Sequence, residues 1–140
     1  MIVSFTVYGD PLPKGSTRAF MPKGARFPVV TSMTKGLKAW ESKIATAAQI
    51  KASGILLVGA LNLTVTFFLA RPKYLGKKVG VPHIKRPDLD KLIRGATDAL
   101  TGTVWKDDAQ LVEIAATKCY VEAEAEAPRA EFTIVALEDR

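Results

Sequence analysis

From Leu61 to Leu69 the chain alternates residue by residue. Leu61, Leu63, Val65, Phe67 and Leu69 are separated by Asn62, Thr64, Thr66 and Phe68. A two-residue period is that of a strand with one buried face, and a helix would need a repeat near 3.6. A strand this regular is expected at the centre of a sheet. Val3, Phe5 and Val7 repeat the pattern near the N-terminus, and Leu111 to Val121 and Phe132 to Leu137 read as further strands.

Two segments carry the other period. Leu37, Trp40, Ile44, Ala47 and Ala48 form a helical stripe that predicts a helix from about Lys35 to Ala52, with Thr34 as a candidate cap and Ser53-Gly54 as its end. Leu89, Leu92, Ile93, Ala96 and Leu100 predict a second helix over Leu89 to Leu100, with Asp88 at its start. The chain is therefore expected to be a single α+β domain over residues 1–140, with a mixed sheet of about four to five strands and two main helices. Its 140 residues, 48% of them hydrophobic, suffice for one core. Trp40 and Cys119 are expected inside it.

Charge narrows the function classes. A net charge of +6 favours a polyanionic partner, since Lys and Arg gain affinity for phosphates largely by releasing condensed counterions. The lone Cys119 excludes an intramolecular disulfide and a multi-cysteine zinc site, and the single His83 excludes a His-based metal centre. No apolar run approaches the ~20 residues that span a bilayer, and the N-terminus lacks a signal-peptide pattern. A cytoplasmic setting without membrane contact is expected.

The basic residues fall in loops. Gly9 to Ser16 is rich in Pro and Gly and leads from Lys14 to Arg18, Lys23 and Arg26, where a basic hairpin and an ordinary solvated turn are equally compatible readings. Arg71, Lys73, Lys77, Lys78, Lys85 and Arg86 then accumulate without an acidic residue. Lys14, Arg18, these six and Lys91 are the candidate DNA-backbone contacts. Glu122 to Pro128 forms an acidic segment expected to point away from DNA.

Into this basic chain the sequence places Asp88 and Asp90, then Asp107 and Asp108. Carboxylates separated by one residue, with one or two more from a later segment, make the oxygen donor set that Mg²⁺ prefers, if the four converge. Asp is also common at helix caps and turns for local reasons, so Asp88-Leu89-Asp90 alone is a weak signal. Asp90, Arg94 and Asp98 share one polar helix face at successive four-residue steps.

These residues carry a resemblance. Arg86-Pro87-Asp88-Leu89-Asp90-Lys91-Leu92-Ile93-Arg94, with Asp98-Ala99-Leu100-Thr101-Gly102 and Trp105-Lys106-Asp107-Asp108-Ala109-Gln110-Leu111, resembles the signature of the RusA family of Holliday junction resolvases. The match is dense from Arg86 to Val112 and looser at Gly9-Asp10-Pro11. The resemblance implies a homodimeric, Mg²⁺-dependent endonuclease, with Mn²⁺ as a possible substitute, that nicks four-way junction DNA symmetrically in recombination and repair and leaves 5′-phosphate ends. It implies Asp88, Asp90 and Asp108 as the catalytic, metal-binding carboxylates. Asp107 would join them or shape the turn, and Asp98 would support the fold or the site.

The sequence leaves the family pattern at two cations. Lys91 stands where Asn is common, and Arg94 where the family has a functional lysine. Arginine does not exchange a proton near neutral pH, so Arg94 is expected to act as an electrostatic clamp on the scissile phosphate or the leaving oxygen. Two other readings are a non-catalytic basic DNA-binding module and a metal-dependent phosphatase or nuclease with a different substrate. Against the phosphatase, its aspartate motif commonly ends an apolar strand, and Ile84-Lys85-Arg86-Pro87 is not one.

Overall fold

A computed structural model describes residues 1–137 except 16, 22, 25, 28, 33, 124 and 125, and for residues 17–20 and 29–32 it describes the backbone alone. The elements in order are β1 (Ile2–Tyr8), β2 (Thr17–Phe20), β3 (Val29–Ser32), α1 (Leu37–Ala52), β4 (Leu61–Leu69), α2 (Leu89–Leu100), β5 (Leu111–Tyr120) and β6 (Arg129–Ala136). Short 3₁₀ turns occupy Lys73–Leu75 and Asp108–Gln110. The architecture is α+β, as expected.

The main sheet has the order β1-β6-β4-β5, and β2 and β3 form a separate antiparallel hairpin. β4 is central: it pairs antiparallel with β6 and parallel with β5. A parallel pair cannot close through a tight turn, so the chain between β4 and β5 must cross the sheet, and α2 makes that crossing. Register places Leu63 between Ile134 and Ile114, and Val65 between Phe132 and Ala116. These residues face the helices.

Both helices cover this one face. α1 packs against β1 and α2, and α2 also meets β5. Trp40, Ile44 and Ala48 from α1, Leu92, Ala96 and Leu100 from α2, and Leu61, Leu63, Val65 and Phe67 from β4 are buried together. The opposite face is more polar. There Ser4 and Thr133 share a hydrogen bond of 3.1 Å, and Asn62 donates to Glu113 at 2.8 Å.

α2 spans the residues its apolar stripe predicts. Elsewhere the details differ. Gly36 occupies the N-cap position of α1 with φ of 82°, a left-handed conformation that suits glycine, whereas the Thr34 hydroxyl accepts from the Gly15 amide at 3.1 Å. Thr34 thus holds the loop after β1, and the N-cap position belongs to Gly36. Cys119 is half-buried, because it lies on the open face of the sheet opposite Phe68. β6 begins at Arg129, three residues before the apolar alternation. Of the acidic segment, Glu124 and Ala125 lie outside the described residues.

Candidate active site

α2 buries Leu92, Gly95, Ala96, Ala99 and Leu100 and leaves Asp90, Arg94 and Asp98 exposed along one side. The loop after β1 crosses this helix at Gly95. The Lys14 amide donates to the Lys91 carbonyl at 3.0 Å, and Leu12 and Lys14 backbone atoms lie where only a small residue leaves room. The same loop sends the Lys14 ammonium to the Asp98 carboxylate. That bond raises the Lys14 pKa above its ordinary value, and Asp98 is thereby engaged with the fold.

At the entrance to α2, Asp88 holds the N-cap position with extended backbone, but its side chain makes no capping hydrogen bond. Asp88 Oδ2 lies 3.6 Å from Lys91 Nζ. Asp90, in the first turn, is exposed. Helix capping therefore does not account for the side chain of either aspartate. Two exposed hard-oxygen donors, separated by one residue and left open by the local structure, fit Mg²⁺, which commonly takes one or two carboxylates and fills its remaining positions with water and substrate phosphate.

The other two aspartates lie beyond the opposite end of the helix. Thr101 ends α2, and Gly102, with φ of 83°, turns the chain back. Asp108 Oδ1 accepts hydrogen bonds from the Thr101 hydroxyl and from Trp105 Nε1, the latter at 2.9 Å. Trp105 is fully buried, so Asp108 is exposed yet anchored to the core. Asp107 has a different occupation. Its carboxylate accepts from the Ala109 amide at 2.8 Å, while Gln110 Oε1 accepts from the Lys106 and Asp107 amides at 3.0 Å each. Asp107 builds the turn that presents Asp108.

The four carboxylates do not converge within one chain. Twelve residues at ~1.5 Å rise make α2 about 18 Å long, and the two pairs flank its ends. Among the described residues no group of three or more His, Cys, Asp or Glu side chains is placed to hold a metal ion. Within one chain, α2 holds the two halves of the candidate site apart.

The candidate cations divide in a similar way. Lys73, Lys77, Lys78, Lys85 and Arg86 are exposed in the connection from β4 to α2, and Lys91 is half-buried. Arg71 is not free: its guanidinium donates to the Gly76 and Lys78 carbonyls and lies 3.8 Å from Glu122, closing the Lys73–Leu75 turn. Arg18 is on β2, and its side chain lies outside the described residues. Arg94 is exposed, with no ion-pair partner among the described residues. His83 is buried, and burial, with Lys118 nearby, lowers its pKa.

The sequence model of the family described as Endodeoxyribonuclease RusA matches residues 9–134, nearly the whole chain. The chain belongs to the RusA endodeoxyribonuclease family. It is also similar to Uncharacterized protein YqaN of Bacillus subtilis (strain 168), 26% identical over 141 residues that cover 94% of each protein. The RusA match includes both halves of the candidate site, from the loop before Lys14 to the turn at Asp108.

Several residues that bear on the candidate site were given no role by the sequence. Thr101 and Trp105 orient Asp108, and Lys118 Nζ donates to the Lys85 and Pro87 carbonyls at 2.6 and 2.9 Å, pinning the approach to Asp88. Trp105 is three residues before Asp108, a spacing that could have suggested contact in a tight turn. Lys118 is one of several polar residues on a strand, and nothing local marks it.

Proposed function

We propose that the protein is a divalent-metal-dependent endodeoxyribonuclease that resolves four-way DNA junctions by paired, symmetrical nicks, acting as a homodimer. The observation that carries this reading is the uncapped Asp88 and Asp90 pair at the entrance of α2, set among Lys85, Arg86, Lys91 and Arg94. An anionic pair on a surface that meets DNA would repel the phosphates, and a bound cation removes that repulsion. Family membership supports the substrate class.

Asp88 and Asp90 would hold Mg²⁺ or Mn²⁺, together with Asp108. The bound cation would supply Lewis-acid neutralisation of the phosphodiester and a lowered pKa for coordinated water. The residues of this chain do the rest. Lys91 balances Asp88 and keeps its carboxylate near the helix entrance. Arg94, one turn beyond Asp90, presents a planar fork to the scissile phosphate or to the leaving 3′-oxygen, a stabilising contact that needs no proton transfer. Trp105 and Thr101 keep Asp108 oriented.

The length of α2 supports the homodimer. Asp90 and Asp108 flank opposite ends of a helix about 18 Å long, so one chain does not bring them to a shared ion. A two-fold axis perpendicular to α2 would set two copies of the helix side by side and antiparallel, and would bring each Asp90 toward the partner's Asp108. The apolar fringe of this flank, with Ile93 half-buried, Ile114 42% exposed and Val112 62% exposed, suits such a contact. Two composite sites related by two-fold symmetry match the two equivalent strands of a four-way junction.

The test is an end-labelled four-way junction beside a linear duplex, each incubated with Mg²⁺ or EDTA. Paired nicks in the junction alone, absent in EDTA and reduced about 100-fold or more by Asp90→Asn, are expected. Equal cutting of both substrates, or cutting unaffected by EDTA, would sink the proposal.

A further inference from the structure

Between the Lys73–Leu75 turn and the chain that enters α2 lies a cleft of about 410 Å³, walled by Arg71, Tyr74, His83, Lys85, Arg86 and Tyr120. A larger neighbouring cleft of about 830 Å³ shares Arg71 with it but has Glu122 and Glu126 in its wall, where they repel phosphate. The smaller cleft has no carboxylate in its wall. With Arg71 engaged in closing the turn, the exposed cations in the wall of the smaller cleft are Lys85 and Arg86.

Its aromatic wall is exposed and also fixed. Tyr74 is 64% exposed, and it shares the wall of the cleft with Lys85 and Tyr120. The Lys85 ammonium lies 4.9 Å from the centre of the Tyr74 ring, and Tyr120 is backed by the His83 ring at 4.4 Å. Burial of His83 favours its neutral form, so the back of the cleft adds no charge. A surface ring held in this way has already lost much of the rotamer freedom that binding would otherwise remove. The entrance is held too, because Lys118 grips the carbonyls of Lys85 and Pro87. Two residues of chain span at most about 7 Å, so Arg86 at the cleft lies next to Asp88.

We propose that this cleft binds one unstacked nucleotide of the DNA, its base against the Tyr74 ring and its phosphate against Lys85 and Arg86. A fixed aromatic face rimmed by cations suits a single-stranded nucleotide, since every base has a face to stack and every link a charge to neutralise. A paired base is hidden in its duplex and does not reach the ring. The volume accommodates one such group and excludes a duplex. The inference rests on the nuclease reading for its DNA ligand, and adds a means of holding a splayed strand beside the carboxylate pair.

The test uses the full chain in EDTA with a short single strand carrying one 2-aminopurine, whose fluorescence falls on stacking. Wild type and Tyr74→Phe are expected to quench and bind alike, whereas Tyr74→Ala loses the quench and about 5-fold or more in affinity. Stacking releases no counterions, so that affinity ratio should be the same at low and high salt. Unchanged quenching and affinity in Tyr74→Ala, with an unaltered thermal melt, would overturn the proposal. A chain that quenches through Tyr74 but cuts no DNA refutes the nuclease reading and keeps the cleft. One that cuts junctions while Tyr74→Ala binds like wild type refutes the cleft alone.

Discussion

Lys14 donates its ammonium to the Asp98 carboxylate and so clips the loop after β1 onto the polar side of α2, where Arg94 also lies. Both side chains are about a third exposed, which limits the stabilisation to roughly 1 kcal/mol. A double-mutant cycle with Lys14→Met and Asp98→Ala, followed by urea denaturation, is expected to give a coupling of about 0.2–1 kcal/mol. A coupling above about 3 kcal/mol would mean that the pair is buried in solution and that the loop sits differently.

Glu41 on α1 is electrostatically linked to this pair. Burial pushes its carboxyl above the usual range, Lys14 pulls it back, and Asp98 raises it further. A carboxyl with a raised folded pKa binds its proton more tightly when folded. The stability this gives is fully present below the unfolded value and is lost as pH rises through the folded one. Glu41→Gln stays neutral throughout, so relative to wild type it should gain stability between about pH 4 and pH 7. Solvent screening keeps that gain to about 1 kcal/mol or less. Denaturant titrations at both pH values check it, and a difference that does not change with pH contradicts it.

The anchoring of Asp108 separates an orienting role from a packing one. Thr101→Val keeps the shape of the side chain and removes the hydroxyl that donates to Asp108, leaving the Trp105 bond in place. Stability should fall by about 0.5–1.5 kcal/mol. Metal-dependent cleavage should fall by about 10- to 100-fold, with part of the loss recovered at higher Mg²⁺ concentration. A rate that tracks the stability change alone would leave Thr101 with no orienting function.

How much of this was legible depended on whether the signal was local. The period of Leu89 to Leu100 predicted α2 to the residue, and the alternation of Leu61 to Leu69 predicted a central strand. Both patterns lie within one element and are set by which face meets the core. The hydrogen bonds of Asp107 and Asp108 were not legible, because which of two adjacent carboxylates closes a turn depends on Gln110 reaching the Leu57 and Gly59 carbonyls at 3.0 and 3.1 Å. Arg71 reads as one more cation in a basic run, and only the folded loop shows its guanidinium turned onto the Gly76 and Lys78 carbonyls. Whether the four aspartates converge was not legible, because sequence gives spacing along the chain, whereas α2 converts that spacing into distance.

Gly95 provides a test of how closely the loop rides on the helix. A methyl group placed there would meet the Leu12 carbonyl and the Lys14 amide at 3.5 Å and Leu37 at 3.6 Å, all ordinary contact distances. Glycine within a helix is less favourable than alanine by about 1 kcal/mol. Gly95→Ala is therefore expected to raise stability by up to that amount, read from the denaturation midpoint. Gly95→Val should lower it, since a branched side chain has no room under the loop. Destabilisation by alanine would mean that the loop approaches α2 more closely than these distances allow.

Asp90 and Asp108 at opposite ends of α2 make a prediction about mixtures. If each site takes Asp90 from one chain and Asp108 from the other, Asp90→Asn and Asp108→Asn dimers are both inactive. In a heterodimer of the two variants, one site combines both substitutions and the other has neither. Equal mixing after unfolding and refolding then restores about a quarter of the wild-type sites, assuming random pairing of the chains. The regained activity should appear as single nicks, because only one strand of each junction faces an intact site. A site built within one chain predicts the opposite: every chain in the mixture carries a lesion, and no pairing repairs it. Heterodimers that form, as shown by mass measurement of differently tagged chains, but nick nothing would therefore return Asp90 and Asp108 to separate roles.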